Sequence, residues 1–423
     1  MIKLNNKTNI KTESIAGVTT FLTMAYIMFV HPDILSNTGM DKHALIAVTC
    51  IAAGVATIAT GFISNTPIAM APGMGLNAYF AYSIVLGQNV PWSTALGIVF
   101  IAGVLFLILT LVGTRQKLVE AIPHSLIYAI AVGIGLFITL MGLSYIGIVV
   151  GDKVTLVKTG EFTPTVLIGL SGLLIMIALS QLKVRGSLLI GILSATTLGL
   201  IFGQIEWPEK IISLNIDISP LLFKLDILGA LRGGLIGSIF VLMFIDMFDS
   251  IGTVAACTHK AGLVDKDGNI LKLDQLLMID ASATIFGSFI GTSPTTAYIE
   301  SASGIEQGGR TGLTSIVTGI LFLSGLFFIP LIGIVPSYAT GPALVMVGLF
   351  MMREVSKINF IKLDEAFPAF IIIIMIALSY SISTGLAFGF ISFTILKIVA
   401  GKFGEVKPAM WIIAILSILF LIV

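Results

Sequence analysis

Three carboxylates stand where a carboxylate is costly. Asp246 and Asp249 lie three apart in the apolar stretch Phe244-Ile245-Asp246-Met247-Phe248-Asp249-Ser250-Ile251-Gly252-Thr253, so they share one face if that stretch is a helix. Glu300 ends the run Ser293-Pro294-Thr295-Thr296-Ala297-Tyr298-Ile299-Glu300. A charged Asp at a bilayer centre costs roughly 2.5–3.5 kcal/mol on insertion scales. Two on one helix therefore argue for function, against the competing reading of a structural hydrogen-bonding role for one of them. Lys397 near the end of the last segment apart, no Lys or Arg falls inside a predicted span. A site rich in acceptors and lacking a fixed cation disfavours an inorganic anion or a carboxylic acid and suits a ligand that presents several N–H donors. Glu300, Asp249 or Asp246 could then also carry a coupling proton. A further acid, Asp280, is expected to brace its neighbours.

These side chains need elements that hold polar groups at depth. The third apolar segment reads Asn65-Thr66-Pro67-Ile68-Ala69-Met70-Ala71-Pro72-Gly73-Met74-Gly75-Leu76-Asn77, and its counterpart runs from Gly291 to Ser301 with Pro294 inside. Proline removes an amide donor and glycine raises the cost of helix. Each segment is therefore expected to start extended and become helical only partway across. Non-helical backbone at membrane depth survives only where it is buried in protein or lines a cavity, and discontinuous spans of this kind mark binding sites in transporters. Asn77 and Glu300 lie just past the breaks. In the first segment Thr19, Thr23 and Tyr26 share a helical face, so Thr23 and Tyr26 are candidates to line the site; such polar stripes also serve as interhelical glue.

Composition sets the solvent. The 423 residues are 57% apolar and 11% charged, with a mean hydropathy of +1.07, against about 25% charged in soluble domains. The chain reads as an all-α polytopic membrane protein. Net charge is +1, so no nucleic-acid partner is expected, and Cys50, Cys257 and four scattered histidines offer neither a disulfide framework nor a metal site. No nucleophile–base constellation appears, so an enzyme is not expected, and no cofactor is implied. The first strong run, 14–30, has no cleavage site after it and is read as a permanent span.

Fourteen apolar segments follow one another as two sets of seven. Ala56-Thr57-Ile58 and Pro67 recur 227 positions later as Ala283-Thr284-Ile285 and Pro294. Met176-Ile177-Ala178-Leu179-Ser180 recurs 199 positions later as Met375-Ile376-Ala377-Leu378-Ser379. Because seven is odd, the second copy (226–402) must enter from the opposite side to the first (1–205), which makes a 7+7 inverted repeat with segments 3 and 10 interrupted. The residues 403–423 form an extra apolar tail. With the N-terminus cytoplasmic, only Lys42, Lys153, Lys158, Lys210, Lys224 and Arg232 of the 23 basic residues fall outside, while Lys3, Lys7, Arg115, Lys117 and Lys266 are among those inside.

At these residues the sequence resembles the nucleobase transporter superfamily, specifically its AzgA-like (azaguanine-resistance) purine permease branch. The resemblance rests on Thr19-Thr20-Phe21-Leu22-Thr23-Met24-Ala25-Tyr26, Ala71-Pro72-Gly73-Met74-Gly75-Leu76-Asn77-Ala78, Phe248-Asp249-Ser250-Ile251-Gly252-Thr253 and Ser293 to Ser301, and it covers nearly the whole chain. It implies a core domain (12–113 plus 227–335), a gate domain (120–205 plus 336–402), a homodimer, and proton-coupled uptake of hypoxanthine, guanine or adenine at the plasma membrane. Carried over, the substrate-binding residues are Gly75, Asn77, Asp246, Asp249 and Glu300, with strand amides near Thr295 and Thr296 reading the remaining ligand edge. Ser301 and Asp249 stand where the xanthine and uracil branch has Asn and Glu, a departure that favours purines over uracil. A sulfate or bicarbonate exchanger on the same fold and a non-pumping channel are the rival expectations.

Overall fold

The computed structural model describes residues 9–113, 123–208, 210–214, 216–264 and 270–422. Lys3, Lys7, Arg115, Lys117 and Lys266, used in the charge reading, lie outside the described residues, as does the start of the expected gate range at 120. Among the described residues, nine helices are long and apolar enough to cross a membrane, and Met74–Leu86 and Ser187–Ile201 are shorter apolar helices.

The first apolar run is not one helix. It is α1 (Ile10–Met24) and α2 (Ile27–Ser36), parted at Ala25 and Tyr26. Thr19 and Thr23 donate their hydroxyls back to the carbonyls of Ile15 and Thr19, and Pro32 removes a donor inside α2. Both effects bend helices. Then come α3 (Lys42–Ile63), strand β1 (Met70–Pro72), α4 (Met74–Ala78) running on as a π-helix over Tyr79–Leu86, α5 (Trp92–Val112) and α6 (His124–Ile146). A hairpin of β2 (Val149–Asp152) and β3 (Leu156–Thr159) follows, an element without a sequence signal in an apolar chain. At its turn the amides of Thr155 and Val154, together with Lys158, hold the Asp152 carboxyl down to about 2. The first half closes with α7 (Pro164–Gln181) and α8 (Ser187–Ile201).

After a short α9 (Ile227–Ala230) come α10 (Ile236–Ala261) and α11 (Leu273–Ile290). Gly291, at φ +97, turns the chain out of α11 and towards β4 (Thr295–Ala297) and α12 (Ser301–Glu306). The remainder is α13 (Gly312–Ser324), α14 (Ile329–Gly333), α15 (Ser337–Met352), α16 (Leu363–Ser379), α17 (Ile382–Val399) and α18 (Pro408–Ile422). The tail is thus a helix, and it lies against α17 and α10.

The two interrupted segments meet as an antiparallel pair, with Met70 opposite Ala297, Ala71 opposite Thr296 and Pro72 opposite Thr295. Flanking bonds extend it: Gly73 N donates to Pro294 O at 3.0 Å and Tyr298 N to Ala69 O at 2.9 Å. Side chains satisfy what the pairing leaves, as buried backbone requires. Thr57 Oγ1 donates to Met70 O at 2.8 Å and accepts from Met70 N at 2.9 Å. Its repeat counterpart Thr284 does the same for Thr295, at 3.1 and 3.2 Å. Ser315 donates to the carbonyls of Thr66 and Ile68, and Ala69 N donates to Ser301 Oγ at 3.0 Å.

Around this centre, α3 lies on α13 and α6 on α15, each pair meeting at glycines. A Cβ on Gly312 would fall 1.9 Å from Gly61 O, and one on Gly142 would fall 2.6 Å from Gly341 O. Small residues let backbones approach in this way, and dispersion at short range replaces the hydrophobic effect that lipid cannot supply. Gly312→Val should therefore force α3 and α13 apart and cost about 1–3 kcal/mol or more. The measurement is the thermal midpoint of the detergent-purified protein, and an unshifted midpoint would show that the contact is not rigid.

Candidate functional site

A cavity of about 560 Å³ opens between the paired half-helices and the helices facing them. Its wall comes from α4 (Gly75, Leu76), one face of α6 from Ile127 to Ile134, the length of α10 from Phe240 to Ala256, the turn Ile299-Glu300, and parts of α15 and α17. Ile413 of α18 adds to it, so the apolar tail is part of the cavity wall. At the rim, Glu354 pairs with Lys357 at 2.7 Å, and the Lys357 ammonium stands 5.2 Å from the centre of the Tyr128 ring.

Three of the residues singled out in the sequence line this cavity together: Gly75, Asp249 and Glu300. Gly75 gives room, since even a Cβ there would come within 3.1 Å of Ile134. Glu300 directly precedes α12, where the strand ends and helical amides begin, a position that favours an anion. Tyr26, from the break between α1 and α2, donates its hydroxyl to Glu300 Oε1 at 2.9 Å and is itself buried. Tyr26 therefore stands behind the acid and orients it.

The other candidates sit one layer back. Asn77 is fully buried, and its Oδ1 accepts from Ser293 Oγ at 2.5 Å, which ties α4 to the chain leading into β4. Asp246 is buried with Oδ2 3.1 Å from Thr284 Oγ1, where it competes with Thr295 O for that hydroxyl's one hydrogen. One turn on, Ser250 donates to Asp280 Oδ2 and shares a hydrogen with Thr296 Oγ1 at 2.6 Å. Asp280 also accepts from Ala297 N at 3.2 Å, so it braces β4. Asp246 and Asp280 each keep Oδ1 without a hydrogen-bond partner. Thr295, Thr296 and Ser301 are buried in or beside the strand pair, and Thr23 bonds back to its own helix. None of these lines the cavity.

Phe240, Phe244 and Phe248 form a stripe at successive turns of α10 along the wall, with ring centres 4.4 and 5.8 Å apart. Aromatic residues at helical spacing in an apolar segment look like any lipid-facing stripe, so no sequence signal separates them; only their adjacency to Asp249 hints at it. Two carboxylates in the wall and a run of rings beside them fit a flat heterocycle, held by its N–H edge and covered on its face. Among the described residues no group of three or more His, Cys, Asp and Glu could hold a metal.

The geometry can be set beside known proteins. A family model described as "Permease family" matches residues 11–388. The adenine permease AdeP of Escherichia coli is 42% identical over 413 residues, covering 97% of this chain and 93% of that protein. The guanine/hypoxanthine permease PbuO of Bacillus subtilis is also 42% identical, covering 97% and 96%. In three dimensions the chain is similar to the transmembrane domain of the cyanobacterial bicarbonate transporter BicA, with a TM-score of 0.67 at 14% identity over 89% of this chain and 97% of that one. The last likeness concerns the fold. The first three place this multi-pass membrane transporter in the permease family, in the purine permease branch of the nucleobase transporter superfamily.

Proposed function

We propose that the chain imports purine nucleobases (hypoxanthine, guanine or adenine) across the plasma membrane by proton symport. The observation that carries this reading is the meeting of Gly75, Asp249 and Glu300 in the wall of a cavity also lined by Phe240, Phe244 and Phe248. The carboxylates accept ring and exocyclic N–H donors, and the phenyl rings cover the base. The names of the relatives, adenine permease and guanine/hypoxanthine permease, point to the same ligand class. Asp246, Asp249 and Glu300 are the candidate proton carriers. Asp246 has an unpaired buried oxygen in support.

On this reading the fourteen segments form a 7+7 inverted repeat, divided into a core (12–113 plus 227–335) and a gate (120–205 plus 336–402) that shift past each other. The shared task of Thr57 on α3 and Thr284 on α11, each bonded to one of the two strands, supports the repeat. The N-terminus is cytoplasmic by the bias of the basic loops, and the working unit is a homodimer. The acids lining the cavity count against sulfate or bicarbonate as cargo, although a bicarbonate transporter shares the fold.

In cells lacking their own permeases, radiolabelled adenine, guanine or hypoxanthine should accumulate against a gradient, with loss of accumulation on adding an uncoupler. Uracil, xanthine or sulfate as the effective competitor would replace purines by one of the rival ligands, and uptake that never exceeds equilibrium would indicate a channel. Glu300→Ala, at equal surface expression, should weaken binding about 10- to 100-fold, the value of one hydrogen bond to a charged group. Normal uptake by that variant would remove Glu300 from the site. Tyr26→Phe should raise KM about fivefold with little change in maximal rate, because it deletes one net hydrogen bond to the acid rather than the acid. Equal KM in Tyr26→Phe and the native protein would show that the tyrosine does not position Glu300.

A further inference from the structure

The cavity lining reaches exposed Lys357 and half-buried Glu354, and away from them polar contacts fasten the two groups of helices to each other. Asp33 of α2, nearly buried, is met by three donors: Lys42 at 3.1 Å, Ser337 Oγ at 3.0 Å and Thr340 Oγ1 at 2.7 Å, the last two from the start of α15. One turn along α2, Asn37 donates to Tyr145 OH of α6 at 2.7 Å, and Tyr145 shares a hydrogen with Tyr82 at 2.6 Å. These bonds link α2 and the π-helical stretch after α4 to α6 and α15.

Beyond this fastening lies a second depression of about 510 Å³, lined by Tyr82, Ser83, Gln88, Ser381 and Thr384 among others. Residue order along two helices shows how little separates it from the cavity. On the third segment the order is Leu76 in the cavity, then Tyr79, then Ser83 in the depression. On α17 it is Leu386 in the cavity, then Ser383, flanked by Ser381 and Thr384 in the depression. Tyr79 and Ser383 are both buried, and their hydroxyls meet at 2.7 Å. Phe137 of α6, also buried, touches the rings of Tyr82 and Tyr380, with centres 6.0 and 5.3 Å away.

We propose that Tyr79, Ser383 and Phe137 form the outer gate of the transport path, that the depression beyond them is its outer vestibule, and that the grip of Asp33 on Ser337 and Thr340 latches this gate shut. The inference rests on the transporter reading but not on the identity of the cargo. A residue pair one helical turn from either opening is a thin barrier, and sliding core against gate parts it once the latch lets go. Asp33 suits a latch because its partners on α15 are short hydroxyls that lose little when they turn to water. Lys42 stays with Asp33 on the same unit and keeps the carboxylate paired when the contact opens.

The test uses the full-length protein in oriented membrane vesicles, with Cys50 and Cys257 replaced by alanine and Leu386→Cys as a reporter inside the cavity. A membrane-impermeant maleimide should label Leu386→Cys from the Lys357 side and scarcely from the other. Adding Asp33→Asn should raise labelling from the vestibule side about fivefold, the weight of one net hydrogen bond in an equilibrium. Unchanged two-sided labelling in a variant with the native thermal midpoint would overturn the latch. If Asp33→Asn does not fold, Asp33→Cys with Thr340→Cys serves instead: a disulfide there should abolish uptake and a reductant should restore it, and uptake persisting with the disulfide formed would overturn the proposal. The labelling arm requires no transported compound, so failure of the purine reading leaves that result standing.

Discussion

Every unusual feature of this molecule follows from placing six residues of strand, Met70–Pro72 and Thr295–Ala297, at a depth where water cannot satisfy a backbone. A helix closes its own hydrogen bonds; a lone strand cannot. Pairing the two strands settles half of the account, and the outer edges must be met by side chains from the surrounding helices. This is why α3 and α11 carry Thr57 and Thr284, why α13 carries Ser315, and why Asp280 is tolerated in α11, accepting from the Ala297 amide. Polar residues that look wasteful in apolar helices are, in this arrangement, the missing partners of β1 and β4.

The strand pair also accounts for an asymmetry between otherwise matching halves. Glu300 corresponds to Gly73 and Asn77 to Gly304 in the internal repeat. A Cβ on Gly73 would lie 2.7 Å from the Thr296 methyl, so no side chain fits where β1 gives way to α4. A Cβ on Gly304 would lie 2.1 Å from Thr20 Oγ1 and 2.6 Å from Ala16 O, because α1 crosses α12 there. Close crossings hold two of the four matched positions to glycine, which leaves Glu300 facing the cavity and Asn77 facing Ser293. The matching sequence positions are thus chemically unlike at the strand pair for steric reasons.

The parts legible in the sequence were those written in local terms. Pro67, Pro72 and Pro294 forbid continuous helix, so the breaks could be read, and their position in matching segments pointed to a central site. The long apolar runs are helices, as at Lys42–Ile63 and Trp92–Val112. What could not be read depends on contacts between distant segments. Whether Asn77 and Asp246 touch the cavity or stand behind it turns on Ser293 and Thr284, which reach them only after the strands pair. The break at Ala25-Tyr26 needed the back-bonded threonines to be weighed together with Pro32. The role of the tail followed from its place against α10, since nothing in an apolar stretch of residues says which side of a helix meets protein.

The likeness in fold to a bicarbonate transporter separates what the scaffold fixes from what individual side chains add. The strands are antiparallel, so α4 starts from one end of the pair and α12 from the other, and each junction of strand and helix by itself favours negative charge. The junction before α12 holds Glu300, whose carboxylate takes up the favourable field and presents an acceptor in its place, with Asp249 lining the same cavity from α10. On the proposed reading, one acid at a strand-to-helix junction and one on α10 make the centre suit N–H donors without any change of backbone. The choice of ligand then lies in side chains such as these two, while the strand pair and its hydroxyl partners hold the scaffold.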